Sequence, residues 1–218
     1  KGYDGTTAAS LAGSASVRGI GADLVSVSGS GAAVFADKNA GSGKAVIISG
    51  FTLSGDDAGN YTLLPSGGLS ANIGKADLAL SGLSARNRSY DGTTTATLSG
   101  TAIVRPIGAD VVTLGGVGVG VGTFSDKNAG SAKRVTVSGY TLSGTDAGNY
   151  NLVSLDSLSA DITRASINVS GIVASDKVFD GTTAATADTT GVVFAGLFGT
   201  DRLTVASLGA FDDAGVGT

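Results

Sequence analysis

Short segments in which apolar and polar residues alternate run through the chain, and a period of two residues predicts β-strands. One such strand occurs three times in the same phase, with inward-facing pairs at Val25 and Val27, at Val112 and Leu114, and at Leu203 and Val205. A strand with one buried face must keep its phase, because a slip of one residue would turn its apolar side chains to the solvent. The pattern therefore predicts half-buried strands rather than helices.

Glycines divide the alternating segments into short strands. Val135 and Val137 alternate, and Gly139 then interrupts the pattern. Tyr140 and Leu142 resume it in the opposite phase, which predicts a bulge or a bend at the glycine. The other predicted strands carry inward-facing residues at Ala9 and Leu11, Ala96 and Leu98, Val46 and Ile48, Phe51 and Leu53, Tyr61 and Leu63, Leu69, Ala71 and Ile73, Tyr150 and Leu152, and Leu158, Ala160 and Ile162.

About seven short strands in each stretch of about 88 residues predict an all-β fold of tandem immunoglobulin-like β-sandwich repeats. A β-grasp repeat is the alternative fold, although the sequence shows no amphipathic helix to fill it. Two Asp-x-Gly-x-Tyr patterns resemble the tyrosine corner of immunoglobulin-like domains, in which the tyrosine hydroxyl bonds to upstream backbone. They are formed by Asp57, Gly59 and Tyr61 and by Asp146, Gly148 and Tyr150. The other interpretation is a glycine-containing turn before a strand whose tyrosine packs in the core.

Three copies of one motif divide the chain. Tyr-Asp-Gly-Thr-Thr begins at Tyr3 and at Tyr90, and Phe179 begins the third copy, so the spacings are 87 and 89 residues. The period rather than the total length defines the structural unit of such a sequence, because each copy is one structural repeat. The predicted copies are residues 1–75 for copy 1, which lacks its first strand, 76–164 for copy 2, and 165–218 for copy 3, which is truncated at its C-terminal end. We expect the chain to be a segment of a longer array.

The third copy departs from the other two. Phe179 replaces the tyrosine of the first motif. A second motif, Phe-x-Asp-Lys-Asn-Ala-Gly, contains Lys38 in copy 1 and Lys127 in copy 2, and Asp213 is interpreted as the residue in the place of that lysine. Any role of the lysine is therefore not expected in copy 3.

The aspartate and glycine of each Tyr-Asp-Gly motif are predicted to form a turn, at Asp4 and Gly5, at Asp91 and Gly92, and at Asp180 and Gly181. In such a turn the aspartate accepts local backbone hydrogen bonds and the glycine takes a positive φ. Calcium binding is the alternative, but Ca²⁺ requires several converging oxygens and no dense acidic loop is visible. An isopeptide crosslink between Lys38 and Asn39 is disfavoured because adjacent residues do not meet its geometry. No metal and no cofactor are predicted.

Missing residue types restrict the chemistry. The chain has no Cys, His, Glu, Gln, Met or Trp, so all 18 acidic residues are aspartates. Nucleophilic catalysis with a histidine base and hydrolysis by paired glutamates need residues that this chain lacks. We therefore predict a protein that is not an enzyme, and the absence of cysteine fits secretion.

Charge and hydropathy restrict the partners. A formal net charge of −4 and a pI near 4.6, with scattered Lys and Arg, do not favour binding to nucleic acid. No stretch approaches the roughly 20 apolar residues that cross a bilayer, so no membrane insertion is predicted. The expected partners are neighbouring copies of the same chain, with extracellular polysaccharide or self-association as alternatives.

The motifs Tyr-Asp-Gly-Thr-Thr, Asp-Lys-Asn-Ala-Gly and Leu-Ser-Gly-x-Asp-Ala-Gly-Asn-Tyr resemble the YDG repeat, which is related to the MBG repeat, of large bacterial surface exoproteins. The resemblance covers essentially the whole chain. It implies a filamentous-haemagglutinin-like adhesin exported by two-partner secretion, an extracellular location at the bacterial cell surface, and roles in cell adhesion and biofilm formation.

The function expected from the repeats is that of a structural stalk or cohesive segment, which projects or links an adhesive region. A carbohydrate-binding or Ca²⁺-dependent matrix module is one alternative, because the turns present Asp, Asn and aromatic residues. A self-assembling fibre subunit is a second alternative, because the Gly-Val alternation at Val117, Val119 and Val121 predicts a flat edge strand.

Overall fold

A computed structural model describes residues 1–64, 67–116, 118, 120–155, 158–206 and 209–217. Its regular structure consists of short β-strands and two single-turn 3-10 helices, Ala58–Asn60 and Ala147–Asn149. The predicted all-β, sandwich-like fold class is confirmed. No helix in this part of the chain is long and apolar enough to cross a membrane. Val117 and Val119 of the predicted edge strand lie outside the described residues. Val121 lies in the strand Val121–Phe124, which has a paired strand on each side, so the prediction of an edge strand is wrong at this residue.

Copy 1 contains an antiparallel sheet and a separate strand pair. Its strands are β1 (Ala8–Ala9), β2 (Ser26–Ser28), β3 (Ala32–Phe35), β4 (Gly41–Ser49), β5 (Thr52–Ser54) and β6 (Ser70–Ile73). The sheet has the order β1-β3-β4-β6, and β2 pairs with β5. Ala33 and Phe35 are buried while their neighbours in β3 are exposed, as the period of two predicts.

Copy 2 repeats this arrangement with additional strands. They are β7 (Ala76–Ala79), β8 (Ser81–Ala85), β9 (Arg88–Ser89), β10 (Thr95–Ala96), β11 (Leu98–Ile103), β12 (Thr113–Gly115), β13 (Val121–Phe124), β14 (Gly130–Ser138), β15 (Thr141–Ser143), β16 (Tyr150–Val153) and β17 (Leu158–Thr163). The sheet order β10-β13-β14-β17 matches that of copy 1, and β9 joins β17 in parallel. In addition, β12 pairs with β15, β8 pairs with β11, and β7 runs parallel to β16.

Copy 3 contains short antiparallel pairs. Its strands are β18 (Asn168–Ser170), β19 (Val173–Ala174), β20 (Ala184–Ala185), β21 (Ala187–Asp188), β22 (Val193–Ala195) and β23 (Gly209–Ala210). They pair as β18 with β22, β19 with β21, and β20 with β23. The pair β20-β23 corresponds to β1-β3 of copy 1, because each joins the segment after the Tyr-Asp-Gly turn to the segment before the second motif.

A glycine in the left-handed region separates the last two strands before each 3-10 helix. Gly50 has φ +84 between β4 and β5, and Gly139 has φ +90 between β14 and β15. Glycine adopts this region without the strain that a side chain would introduce. The bend predicted at Gly139 is therefore present, and it explains why the apolar pattern changes phase there.

The chain forms two compact units, and each draws on two copies. Unit 1 comprises Lys1–Leu83, Gly100–Gly120 and Ser138–Leu155. Its buried core consists of Tyr3, Phe35, Ile73, Leu78 and Tyr150. Unit 2 comprises Ser84–Ser99, Val121–Val137 and Asp156–Thr218, and its buried core consists of Ala96, Phe124, Val135, Ala160 and Ile162.

Some predicted strands do not form. In copy 1, Leu11 and the segment 61–64 lie outside the strands, and in copy 3 the same is true of Leu203 and Val205. In copy 2 the corresponding segments are paired, β11 with β8, β16 with β7, and β12 with β15. A strand needs a partner for its backbone hydrogen bonds, and in copy 2 the partners of these segments are β8, β7 and β15.

Candidate functional site at the repeat junction

Each Tyr-Asp-Gly motif forms a turn that its aspartate closes. The Oδ1 atom of Asp4 accepts hydrogen bonds from the backbone N–H of Thr6 at 2.9 Å and from the Thr6 hydroxyl at 2.8 Å. Gly5 has φ +78, in the region that favours glycine. The same bonds and glycine angles recur at Asp91, Gly92 and Thr93 and at Asp180, Gly181 and Thr182. The three motifs therefore shape the backbone in the same way.

A basic residue three positions before each aspartate completes the turn. Lys1 Nζ lies 2.7 Å from Asp4 Oδ1 and 5.9 Å from the centre of the Phe35 ring. The equivalent contacts are made by Arg88 with Asp91 and Phe124, and by Lys177 with Asp180 and Phe211. The hydrogen bond from the basic residue, followed by those from the threonine, holds the pKa of each aspartate at about 2. Sequence reasoning missed this residue, although a Lys or Arg stands two positions before the aromatic residue in every copy.

A second recurrent turn, also missed from the sequence, has the form apolar-Gly-x-Asp. The backbone N–H of Asp110 donates to the carbonyl oxygen of Ile107 at 3.2 Å, and Gly108 between them has φ +58. The same turn is formed by Ile20, Gly21 and Asp23 and by Phe198, Gly199 and Asp201. Its sequence signal is short and its apolar residue changes, so the turn stands out only when the three copies are aligned.

The Asp-Ala-Gly-Asn-Tyr segments bring their tyrosines to this second turn. The Tyr150 hydroxyl accepts the N–H of Ile107 at 2.9 Å and donates to Asp110 Oδ2 at 2.7 Å, and Asp146 Oδ2 accepts the N–H of Val111 at 2.9 Å. Tyr61, Asp57, Ile20, Asp23 and Leu24 make the same bonds in copy 1. The hydroxyl thus bonds to upstream backbone, as in a tyrosine corner, but the partner lies about 40 residues upstream rather than in the next turn. Gly59 and Gly148 lie inside the two 3-10 helices.

Five side chains of unit 1 meet at one place, which we name the repeat junction: Tyr3, Lys38, Asp110, Asp146 and Tyr150. Asp110 Oδ2 accepts hydrogen bonds from the hydroxyls of Tyr3 at 2.5 Å and Tyr150 at 2.7 Å. Lys38 Nζ contacts Asp110 Oδ1 and lies 3.3 Å from Asp146 Oδ1. The two tyrosine rings pack edge to face with centres 5.4 Å apart. Tyr3 and Lys38 belong to copy 1 and the other three to copy 2, so the junction fastens two copies together.

A buried asparagine adds a backbone contact between the same copies. The Oδ1 atom of Asn149 accepts the backbone N–H of Ala40 at 2.8 Å, and its Nδ2 donates to Asn39 Oδ1 at 3.2 Å. Both polar ends of this buried side chain are therefore satisfied, as a buried amide requires. The Asp-Lys-Asn-Ala-Gly loop of copy 1 thus recognises the Asp-Ala-Gly-Asn-Tyr turn of copy 2.

Comparison with known families accounts for the recurrence of these turns. The YDG domain matches the chain three times, at residues 1–68, 74–159 and 163–218. The chain belongs to the YDG domain family. Comparisons with curated proteins and with solved structures gave no match.

A second junction, inside unit 2, joins the YDG copies 2 and 3. The Tyr90 hydroxyl donates to Asp201 Oδ2 at 2.7 Å, and Lys127 Nζ lies 3.2 Å from Asp201 Oδ1. The Phe198 ring packs edge to face on Tyr90 with centres 6.0 Å apart. The same pairing of a tyrosine and a lysine with an aspartate of the next copy therefore occurs at both places.

The third YDG copy has lost the tyrosine hydroxyl and the lysine, and the predicted alignment of Asp213 with the lysine is wrong by one residue. Asp213 Oδ1 accepts the backbone N–H of Gly215 at 2.7 Å, just as Asp37 Oδ1 accepts that of Asn39 at 2.8 Å. Asp213 therefore corresponds to Asp37, and Ala214 occupies the place of the lysine. An alignment on Phe211 and Phe35 without a gap gives the same correspondence.

The YDG copy 1 forms the same contact between a tyrosine and an aspartate in a more exposed setting. Tyr61 donates to Asp23 Oδ2 at 2.6 Å, as in the complete junction. Ile20 is 77% exposed, whereas its counterpart Ile107 is 36% exposed. The difference arises because Ile107 packs against copy 1, where its Cγ2 lies 3.4 Å from the position of a Cβ at Gly5. Copy 1 therefore supplies matched control positions for the junction residues.

The charges at the repeat junction compensate one another. Burial opposes ionisation of Asp110, but hydrogen bonds from Lys38, Tyr150 and Tyr3 outweigh it and hold the pKa of the carboxyl at about 2. The hydrogen bond to Asp110 raises the pKa of Lys38. Burial and the hydrogen bond to Asp110 raise the pKa of Tyr150 to about 12 and also raise that of Tyr3. Near neutral pH, Asp110 is thus ionised, Lys38 is protonated and both tyrosines are neutral.

This arrangement suits attachment of chain segments rather than reaction chemistry. A carboxyl with a pKa of about 2 is a poor general base, and a protonated amine is a poor nucleophile. Lys38 contacts Asp110 and Asp146, whereas Asn39 binds Asn149, so the geometry of a Lys38–Asn39 crosslink is not met. In the described part of the chain, no three His, Cys, Asp or Glu side chains are grouped to hold a metal ion.

Acid is expected to weaken the folded chain within a narrow pH range. The pKa of Asp110 is about 2 in the folded state and 3.8 in its ordinary state, so the unfolded state binds the proton more tightly. Its contribution to stability is present above about pH 4 and is lost as the pH falls towards 2. The urea midpoint should therefore fall across this range, and less steeply for an Asp110→Asn variant. An equal slope for both proteins would show that Asp110 is not linked to folding.

Proposed function

We propose that this chain is a structural stalk or cohesive repeat segment of a secreted bacterial adhesin, which projects or links an adhesive region at the cell surface for attachment or biofilm formation. The observation that carries the proposal is the repeat junction. Tyr3 and Lys38 of one YDG copy are bound to Asp110 and Tyr150 of the next. A segment built in this way holds its copies together through side chains as well as through the backbone.

Composition supports a non-enzymatic, extracellular role. The chain lacks Cys, His and Glu, which excludes a cysteine nucleophile, a histidine base and a pair of glutamates from its chemistry. Its polar motif residues recur from copy to copy, as turn residues do, whereas a catalytic site is normally single. The partners proposed are other YDG copies. Nucleic acid and membrane insertion are not proposed, because the net charge is −4 and the apolar segments are short.

The junction joins residues that are far apart along the sequence, so it can resist extension of the chain between them. Tyr3 and Asp110 are 107 residues apart but hydrogen-bonded. That length of chain would span roughly 350 Å when extended. The segment cannot reach this length until the junction opens. Parallel pairing of β7 with β16, which also lies in unit 1, closes part of the same stretch.

Stretching single molecules from their two ends tests this role. We expect one rupture to release roughly the 107 residues between Tyr3 and Asp110 together, because the closed junction shields this segment from the applied force. An Asp110→Ala variant should rupture at a lower force, since it removes the shared acceptor. Asp23→Ala, which alters the same turn in copy 1, should rupture at the unsubstituted force. If each copy ruptured separately and Asp110→Ala left the rupture force unchanged, the junction would carry no force. That result would contradict the proposed stalk.

A further inference from the structure

The glycine of each Tyr-Asp-Gly motif has a backbone angle that does not by itself require glycine. The φ angle is +78 at Gly5, +79 at Gly92 and +76 at Gly181. Asparagine also adopts positive φ in tight turns, because its short polar side chain bonds to the local backbone. The bend of the chain therefore leaves the choice of glycine over asparagine unexplained.

At two of these glycines, a residue of the next copy lies where a side chain would stand. The Cγ2 atom of Ile107 lies 3.4 Å from a Cβ built on Gly5, so a methyl group would already be in van der Waals contact. The Cβ atom of Phe198 lies 3.2 Å from a Cβ built on Gly92, which is closer than most Cβ contacts. The first contact lies inside unit 1 and the second inside unit 2. The missing side chain thus lets the next copy approach.

The two approaching residues hold the same position in their copies. Ile107 and Phe198 each begin an apolar-Gly-x-Asp turn, which the N–H of Asp110 or Asp201 closes at 3.2 Å or 3.1 Å. The same two aspartates accept the tyrosine hydroxyl of the preceding copy. Each turn therefore presents an apolar side chain to the glycine and a carboxylate to the tyrosine of one Tyr-Asp-Gly motif. Two contacts with a single motif fix the orientation of the turn.

We propose that the glycine of the Tyr-Asp-Gly motif is the seat on which one YDG copy receives the apolar-Gly-x-Asp turn of the next. Ile107 is seated on Gly5 and Phe198 on Gly92. The seated residue brings the aspartate of its turn to the hydroxyl of the motif's tyrosine. The inference rests on the proposed function, because it names the surface through which the copies of the stalk recognise each other. It gives the motif glycine a second role beside that of shaping the turn.

Amide hydrogen exchange in a Gly5→Asn variant of the full chain separates the two roles, because asparagine keeps the turn and fills the seat. The N–H of Ala40 binds Asn149 of the next copy at 2.8 Å and reports on the junction. The N–H of Thr6 binds Asp4 at 2.9 Å and reports on the turn. We expect exchange to become at least about tenfold faster at Ala40 and to stay within about twofold at Thr6.

Two further variants complete the test. Gly21→Asn is the matched control, because Gly21 also lies in unit 1 and has φ +62, but no atom lies within 4 Å of a Cβ built on it. It should leave exchange at Ala40 unchanged. Ile107→Ala removes the seated side chain and should itself speed exchange at Ala40. Gly5→Asn added to Ile107→Ala should change that rate by less than about twofold, since the seat is then empty.

The seat would be refuted by unchanged exchange at Ala40 in Gly5→Asn, or by equal acceleration at Thr6 and Ala40, which would show damage to the turn alone. Full additivity of Gly5→Asn and Ile107→Ala would refute it as well, because the two side chains would then not share one space. These results are distinct from failure of the stalk, since exchange is measured without force. If Asp110→Ala still lowered the rupture force, the stalk would stand and only the role of the glycine would be wrong.

Discussion

An Asp110→Ala variant is expected to have a free energy of unfolding about 3 kcal/mol below that of the unsubstituted chain. The Asp110 side chain is 3% exposed and accepts hydrogen bonds from both Tyr3 and Tyr150. Its removal leaves two buried hydroxyls without their acceptor, at about 1 to 2 kcal/mol each. Lys38 adds little, because its side chain is 36% exposed and still faces Asp146. Urea titration followed by tyrosine fluorescence measures the loss.

Asp23→Ala is the matched control for this prediction. Asp23 occupies the same turn and accepts the same tyrosine hydrogen bond, but from a solvent-exposed site. Water replaces the lost acceptor there, so the expected loss is below about 1 kcal/mol. Equal losses in the two variants would show that the aspartate acts only within its own turn. The repeat junction would then contribute nothing beyond that turn.

Local backbone structure could be predicted from the sequence because its causes are local. The turn at Asp4 and Gly5 needs only a hydrogen-bond acceptor and a residue that tolerates positive φ. The Asp and the Gly of the motif supply them. The bend at Gly139 is visible as a change of phase in the apolar pattern. The all-β class follows from the same alternation, which keeps its period wherever one face of a strand is buried.

The repeat junction could not be predicted, because its residues meet across copies. Tyr3 and Tyr150 belong to separate motifs, and nothing in the spacing of the motifs shows that they share Asp110. That aspartate stands in a short turn whose signal is only an apolar residue, a glycine and an acid. The two sequence copies look independent, while the compact units contain parts of both.

Strand formation in this family depends on the partner as much as on the pattern. Residues 61–64 have the apolar sequence of a strand and are not one, whereas β16 has a similar sequence and pairs with β7. Propensity alone does not separate these two segments, because β-preference reflects the neighbouring strand and its packing. The same dependence makes Gly100, where β8 approaches β11 closely, sensitive to substitution.

Gly100→Ala is therefore expected to cost at least about 3 kcal/mol and to separate β8 from β11. A Cβ at Gly100 would lie 2.2 Å from the carbonyl oxygen of Gly82 and 3.5 Å from the Cα of Leu83, so backbone rather than a flexible side chain would have to move. An alanine held at the φ of +94 that Gly100 adopts would also have a strained backbone. Hydrogen exchange should show faster exchange at Thr101 and Leu83, together with a lower urea midpoint.

Gly13→Ala separates the effect of the clash with β8 from the effect of the strained φ. Gly13 has nearly the same φ as Gly100, but no atom lies within 4 Å of a Cβ built on it. Its cost should be that of the strained backbone alone, about 1 kcal/mol. The difference between the two variants then measures the close approach of β8, free of the conformational preference of glycine. If both variants lost the same stability, the approach of Gly82 to Gly100 would contribute nothing.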